Sequence, residues 1–241
     1  MLFSTRGIVF YSVPYSETSI IVKIYTEKFG LQSYLIKGSR RRSSRTRPSF
    51  LQSLTLLDMV VYHRVNKNLQ TIREVQISYP YQFIPGDIRK EALIIFINEL
   101  LYHSIREEEA NRDLFMYIWD ACMLLDKTES QVSTFHLLFA AALTRFLGIR
   151  PSSAYSPEFP FFNLKEGLFM SSSQNRQYLL DPDSGKRFAN LFSFPIRDHG
   201  NLSYPSAIRD SLLDSMLFYY RLHLPGFPEL KSHKVLRAVF S

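Results

Sequence analysis

The sequence predicts an α+β protein in which a small β-barrel precedes a mainly α-helical region. Five short segments rich in β-branched and aromatic residues occupy the first 80 residues and are separated by turn sequences. Beyond Pro80 the apolar residues recur at helical spacing instead. We therefore expect a five-stranded barrel of the oligonucleotide/oligosaccharide-binding (OB) type at 1–80 and a helical domain at 81–241.

The five strands are assigned from residue type and alternation. The first two flank a turn at 13–17, the third alternates between two faces and ends at Gly38, and the last two flank a hairpin loop at 64–68. Five strands alone fit other small barrels about as well. The predicted strands are 5–11, 19–25, 31–37, 51–63 and 69–77.

The helical domain is assigned from apolar spacing and from residues that end helices. Helices are predicted at 88–105, 114–125 and 132–147, the last ending at Gly148, and these three are expected to form a bundle. Between 150 and 205 we expect an irregular, cysteine-free insertion with a short hairpin at 161–170 and a turn at 181–186. Two more helices are predicted at 206–222 and 231–240.

Basic residues are concentrated near the N-terminus. Residues 1–80 contain twelve Lys and Arg against four Asp and Glu, a net charge of +8, whereas the rest contains seventeen against eighteen, a net of −1. This asymmetry indicates a surface for nucleic acid or an anionic membrane. The densest run has six basic residues among eleven and no acidic one; they are Lys37, Arg40, Arg41, Arg42, Arg45 and Arg47.

The basic run predicts a phosphate-binding loop, because Arg makes forked contacts to phosphate; a merely solvated loop is the alternative. Further basic residues on the neighbouring strands and loop are candidates to extend it, although each alone is also an ordinary surface charge. These are Arg6, Lys23, Arg64, Lys67 and Arg73. Barrel tyrosines are candidates to stack on bases, although core packing or cross-strand pairing in a hairpin is expected for at least three of them. They are Tyr11, Tyr15, Tyr25, Tyr34 and Tyr62.

The sequence gives little support to catalysis, and we predict no enzyme, metal or cofactor. The six histidines are scattered without a metal-ligand spacing, and the single cysteine, Cys122, lies in an apolar helical pattern. The N-terminus lacks the pattern of a signal peptide, and no apolar stretch suggests a membrane span. With one cysteine no disulfide framework can form, so we expect a cytoplasmic protein that is not associated with a membrane.

The order of motifs in the first third resembles the opening of the bacterial RecO family of recombination mediators. The matching strings are TRGIVF at 5–10, PYSE at 14–17, TEKFG at 26–30 and KGSRR at 37–41. The similarity continues at 69–74 and returns at 139–148 and 230–232.

The resemblance implies an OB barrel followed by a helical domain, binding of single- and double-stranded DNA, and annealing of complementary strands. It also implies two partners, the ring-forming RecR protein and the single-stranded DNA-binding protein, and a role in loading a recombinase onto coated DNA. Lys37, Arg40 and Arg41 match the positions of the family's DNA-contacting basic residues, and Arg42, Arg45 and Arg47 extend them here.

Two departures from the family pattern follow from the same comparison. Many members hold a four-cysteine zinc module where 150–186 has no cysteine, so bound zinc is not expected here. An aromatic cluster is expected to replace it by apolar packing: Tyr155, Phe159, Phe161, Phe162 and Phe169. Leu138 lies where an arginine would receive the tail of the single-strand binding protein, so that pocket stays unassigned.

Our leading hypothesis is a non-enzymatic DNA-binding mediator that anneals strands and helps load recombinase during gap repair. An RNA-binding OB module with no role in recombination is the alternative, because nothing in the sequence is seen to read a 2′-hydroxyl. An enzyme with a site within 150–205 is a third class.

Overall fold

The computed structural model describes residues 1–17, 19–36, 48–151, 155–171 and 176–241. The chain divides into two compact units. One contains Met1–Asp87 and Ile105–Lys127, and the other contains Ile88–Ser104 and Thr128–Ser241. The division into domains at residue 80 stays a prediction, because the first unit also takes in a later stretch of chain.

A closed five-stranded barrel forms the greater part of the first unit. Its strands are β1 (Leu2–Pro14), β2 (Ile20–Thr26), β3 (Gly30–Ile36), β4 (Leu56–Tyr62) and β5 (Leu69–Tyr79). They follow the order β1-β2-β3-β5-β4 around the barrel, and β3 and β5 run parallel. This is the strand order of the OB fold, so the predicted α+β class with an N-terminal OB-type barrel is confirmed.

The remaining elements of the described residues are mostly helical and lie mainly in the second unit. The helices are α1 (Ile88–Ser104), α2 (Arg112–Lys127), α3 (Phe135–Phe146), α4 (Pro182–Ser193), α5 (Ser206–His223) and α6 (His233–Phe240). The short strands are β6 (Phe161–Asn163), β7 (Leu168–Met170) and β8 (Leu179–Leu180). The five helices and the short hairpin predicted from the sequence are confirmed, with ends that differ by a few residues.

Apolar side chains from alternate strand positions fill the barrel, because successive residues of a strand point to opposite faces. Gly7 lies where β1 passes close to this interior. A Cβ there would approach Met59 Cε to 2.5 Å and Ile24 Cγ2 to 2.6 Å, so only glycine fits without a shift of these side chains. Fully buried interior residues include Val9, Val22, Ile24, Tyr34, Leu57 and Val61.

The segment before β4 differs from its prediction as a strand. A short 3₁₀-helix (Pro48–Leu51) precedes a turn in which Leu54 has a left-handed backbone conformation with φ +57°. The Leu54 N–H donates to the Val9 carbonyl at 2.7 Å, and its side chain is fully buried. This contact and burial offset the backbone strain. Apolar periodicity alone did not distinguish such a turn from a strand.

Helix α2 belongs to the barrel unit, whereas the sequence predicted it in a bundle with α1 and α3. The Phe115 ring of α2 lies 6.1 Å from that of Tyr25 on β2, and Tyr25 stacks on Phe10 at 5.7 Å. A shift of register between Val9 and Tyr11 opens a β-bulge at Phe10, which lets its ring join this outer layer. The helical pattern of α2 was read correctly, but its packing partner was not.

A buried carboxylate fixes the end of α2 to the segment that follows β5. Asp126 accepts hydrogen bonds from the backbone N–H groups of Gln82, Phe83 and Ile84 at 2.9 to 3.1 Å. The Tyr79 hydroxyl donates a further one at 2.9 Å. Four donors thus converge on this one carboxylate.

The second unit contains a small sheet, in the order β7-β6-β8, that packs with α4 through aromatic rings. Phe162 is fully buried, and its ring lies 5.1 Å from both Phe169 and Phe188. Tyr155 meets Phe169 edge-on at 5.5 Å, while Phe159 is exposed. Apolar packing therefore holds this region together, as expected from the sequence, although Phe159 does not join the core.

Residues 181–186, expected to form a turn, instead begin α4. The Asp181 carboxylate accepts from the backbone N–H groups of Asp183 and Ser184 at 3.0 Å, and Pro182 follows in the first turn. An aspartate cap followed by proline is a typical helix start. The 150–205 segment, expected to be irregular, thus holds β6, β7, β8 and α4.

Candidate nucleic-acid interface

The densest basic run, at 37–47, lies outside the described residues, so the roles of its six basic residues stay predictions. The chain on either side of it is described. Ile36, just before the run, pairs with Ile20 at the start of β2. After the run, the Leu51 carbonyl accepts from Ser12 Oγ on β1 at 3.3 Å. Both flanks of the basic run therefore lie beside the second half of β1 and the start of β2.

The outer surface of the barrel next to these flanks carries two rows of side chains, defined here as the outer face. Within each row, every residue is the ladder partner of its neighbour on the next strand. The first row crosses all five strands from β1 to β4, and the second row crosses β1, β2, β3 and β5. The first row is Val13, Ile21, Leu35, Thr71 and Tyr62. The second row is Tyr11, Lys23, Ser33 and Leu69. None of these positions is acidic, so the outer face presents apolar, hydroxyl and basic groups to solvent.

The loop between β4 and β5 places two predicted site residues at one end of the outer face. Arg64 and Lys67 are both exposed, and a Lys67 N–H to Arg64 carbonyl bond of 3.1 Å closes a turn between them. In OB folds this loop and the β2–β3 surface are where oligonucleotides bind. The structure therefore places Arg64 and Lys67 on this loop, and their contacts to phosphate stay a prediction.

Gln70 organises that loop and was missed by the sequence analysis. Its side chain is 3% exposed. The amide nitrogen donates to the carbonyls of Lys67 at 2.6 Å and Arg64 at 2.8 Å, and the amide oxygen accepts from the Arg64 N–H at 3.0 Å. The sequence could have identified Gln70, because this glutamine lies two residues before Ile72 on β5 and both side chains therefore point into the barrel.

Lys23 and Arg73 also lie on the outer side of the barrel, in different surroundings. Lys23 is half-buried and pairs with Tyr11 and Ser33 on the two neighbouring strands. Arg73 occupies a β-bulge on β5, which places it beside Glu74 in an exposed ion pair of 3.3 Å. Such a pair is weak, so a phosphate can compete for Arg73 at little cost.

Arg6 is held by contacts within the protein. Its guanidinium forms a two-bond salt bridge with Glu27, at 2.9 Å for each bond, and lies over the rings of Phe115 and Trp119 at 5.4 and 4.9 Å. The hydrogen bond to Glu27 raises the pKa of Arg6, and the same bond lowers the pKa of Glu27. We therefore leave Arg6 out of the interface proposed below.

The structure separates the five candidate tyrosines into two groups. Tyr25 and Tyr34 are 1% and 0% exposed, and burial raises the pKa of each well above its ordinary value. Tyr11, Tyr15 and Tyr62 are 47%, 64% and 45% exposed. Two of the five thus pack in the protein, and three present a ring to solvent.

The described ranges offer no sign of a metal-dependent or thiol-based site. They contain no group of three or more His, Cys, Asp or Glu side chains placed to hold a metal ion. Cys122 is buried, and burial raises the pKa of its thiol to about 12, which keeps it protonated. No helix in this part of the chain is long and apolar enough to cross a membrane.

Two family models match this chain, one over its N-terminal part and one over its C-terminal part. A family model described as Recombination protein O N terminal matches residues 1–81, and one described as Recombination protein O C terminal matches residues 85–233. The chain belongs to the RecO family. The DNA repair protein RecO of Christiangramia forsetii is 36% identical over 244 residues, and all of both chains is covered.

Two further relatives of this RecO-family chain cover it equally well. The DNA repair protein RecO of Phocaeicola vulgatus is 34% identical over 241 residues, and that of Flavobacterium psychrophilum is 34% identical over 242, each with all of both chains covered. The resemblance seen in the sequence is confirmed, and the chain is a RecO-family DNA repair protein. The RNA-binding alternative is not favoured by this membership.

Proposed function

We propose that this RecO-family chain is a non-enzymatic mediator of recombinational repair. It binds single- and double-stranded DNA, anneals complementary strands and helps load a recombinase onto DNA coated by single-strand binding protein. Its proposed DNA-binding residues are Lys37, Arg40, Arg41, Arg42, Arg45, Arg47, Lys23, Arg64, Lys67 and Arg73.

One observation supports the proposal: the outer face lies between the two flanks of the basic run and the loop that carries Arg64 and Lys67. The flanks of the basic run at 37–47 lie at the β1–β2 side of this face, and the loop with Arg64 and Lys67 follows Tyr62 at its β4 side. Oligonucleotides bind OB folds at this surface. A strand crossing the face would pass Lys23 on β2 and reach Arg64 and Lys67 beyond β4.

Annealing requires phosphates to come together and requires no bond chemistry. Basic residues that neutralise phosphates on two strands lower the repulsion between the strands and raise their local concentration. If all six basic residues of the run contact one single strand, the logarithm of affinity should fall with the logarithm of salt concentration with a slope of about −4.

The proposed partners come from the family and not from a surface seen in this chain. We propose that the protein acts with RecR and with the single-stranded DNA-binding protein, in the bacterial cytoplasm and close to the nucleoid. The surfaces that contact these two proteins are left unassigned.

The proposal is tested by annealing two complementary fluorescent oligonucleotides that carry the cognate single-strand binding protein. The parent chain is compared with an Arg40→Ala/Arg41→Ala/Arg42→Ala variant. A second variant, Arg145→Ala/Arg197→Ala/Lys234→Ala, removes the same charge from exposed positions of the second unit. We expect acceleration by the parent and by the second variant, and little by the first.

Two results would contradict the proposal. Equal annealing by all three proteins would remove the basic run from the mechanism, and no annealing by the folded parent would remove the activity itself. A stronger affinity for a matched RNA strand than for DNA would instead support the RNA-binding alternative.

A further inference from the structure

The outer face carries an exposed tyrosine at each end. Tyr11 lies in the second half of β1 and Tyr62 at the end of β4, and in one direction around the closed barrel β2, β3 and β5 lie between them. Four steps between neighbouring strands lead from Tyr62 to Val13, a path of about 19 Å along the surface, and Tyr11 lies two residues before Val13 on the same side of β1. Because barrel strands are tilted, such a path advances along the barrel axis as well as around it. The two rings therefore belong to one continuous strip.

The surroundings of the two rings distinguish them from scattered surface aromatics. Lys23 is the direct ladder partner of Tyr11, and Arg64 and Lys67 follow Tyr62 in the next loop. Between the rings lie Ile21 and Leu35, which are half-buried and offer apolar surface. Alternation of aromatic rings with cations is how proteins hold single strands, the rings stacking on bases and the cations binding phosphates.

The exposure of Tyr11 and Tyr62 also favours a role in binding a single strand. Tyr25 lies two residues after Lys23 on β2 and is buried by Phe10 and α2. A tyrosine on the outside of the barrel is therefore buried in this protein where a helix packs over it. Tyr11 and Tyr62 keep nearly half of their surface in solvent. Both rings bury less apolar surface than Tyr25 and Tyr34 do, and a ligand in solvent can reach them.

We propose that Tyr11 and Tyr62 stack on unpaired bases of a single DNA strand while Lys23, Arg64 and Lys67 bind its phosphates. This inference rests on the proposed function and specifies its ligand. Bases in a duplex already stack on their neighbours, so this strip selects single strands, whereas the basic run at 37–47 binds phosphates of either form. The surface path suits a strand of a few nucleotides, at the short end of the range for OB folds.

The test separates bases from phosphates. Affinity is measured for a fluorescent dT oligonucleotide and for an oligonucleotide of the same length built from abasic sites, which keeps the phosphates and lacks the bases. In a Tyr11→Ala/Tyr62→Ala variant we expect affinity for dT to fall about fivefold or more per ring, and affinity for the abasic strand to stay unchanged.

Two more variants control for folding and for ring chemistry. Tyr11→Leu/Tyr62→Leu keeps apolar bulk without an aromatic face and should behave like the alanine variant. Tyr11→Phe/Tyr62→Phe keeps the rings and should bind dT like the parent. Urea unfolding followed by fluorescence of Trp119, the chain's single tryptophan, reports whether the barrel unit of each variant is folded.

The outcomes are distinct. An equal loss on both oligonucleotides, or no loss on dT, would overturn the stacking proposal while leaving DNA binding itself in place. Failure of the folded parent to bind either oligonucleotide would overturn the proposed function, and with it this inference. Loss on dT alone in both the alanine and the leucine variants supports it.

Discussion

Replacing Asp126 by asparagine is expected to destabilise the barrel unit by about 2 to 3 kcal/mol. The carboxylate accepts from three backbone N–H groups and one hydroxyl, and asparagine substitutes an NH₂ donor for one of its two oxygens. Each hydrogen bond to a charged acceptor is worth about 1 kcal/mol more than a neutral one, and the three amide bonds thus lose about 3 kcal/mol. The lower cost of burying a neutral group recovers part of this.

Equilibrium unfolding in urea, followed by the fluorescence of Trp119, measures the effect. This tryptophan lies on α2 with Asp126 and is 5% exposed, so its emission should change when the unit opens. Asp120→Asn, an exposed change of the same kind on the same helix, serves as the control and should alter the free energy of unfolding by less than about 0.5 kcal/mol. An equally small change for Asp126→Asn would refute the account of Asp126 as an anchor.

The same carboxylate predicts a dependence on pH. Burial alone would raise the pKa of Asp126, but hydrogen bonds from the Gln82, Phe83 and Ile84 N–H groups and from Tyr79 outweigh it and lower that pKa. A lowered pKa in the folded state means that stabilisation is complete above the ordinary value of 3.8 and is lost as the pH falls through the folded value. The difference in unfolding free energy between parent and Asp126→Asn should therefore shrink only in acid.

Three further predictions concern the loop and turns of the barrel. Gln70→Leu should lower affinity for single-stranded DNA about fivefold in fluorescence anisotropy, because the loop that it braces must be ordered on binding, whereas the exposed Gln76→Leu should not. Gly30→Ala should cost about 2 to 4 kcal/mol in urea unfolding, because φ is +63° and a Cβ would lie 2.8 Å from the Glu107 carbonyl; no cost would contradict this. Glu27→Gln should cost about 1 to 2 kcal/mol, and Glu74→Gln less than about 0.5, since only the first leaves a partly buried arginine without its carboxylate.

Most of the fold was predictable because its elements follow local rules. Alternation and turn residues identified the strands of the barrel, and apolar spacing identified the helices, including α5 and α6. These signals are properties of neighbouring residues and do not depend on what packs against them. The assignment failed where two local signals competed, as at Leu54, whose apolar neighbours suggested a strand while the backbone turns.

The packing of α2 and the role of Arg6 were not predictable in the same way. Both depend on residues far apart in sequence: Arg6 meets Glu27 on the barrel and the rings of Phe115 and Trp119 on α2. A basic residue in a strand looks the same in sequence whether it faces DNA or a carboxylate. The start of α4 was predictable, since Asp181 followed by Pro182 is a standard helix start, but the weak pattern around it concealed the helix.

The two proposed modes of DNA contact together favour binding of separated strands over binding of the annealed duplex. Basic residues bind phosphates in single strands and duplexes alike, so by themselves they would hold the annealed product as well as the substrates. Stacking on Tyr11 and Tyr62 is available only while bases are unpaired, and it is worth about 1 to 3 kcal/mol per base. Base pairing removes that contribution and lowers the affinity of the protein for the DNA by about fivefold or more for each ring. A mediator built this way would bind separated strands, promote their pairing and then release the duplex, without any chemical step to drive the cycle.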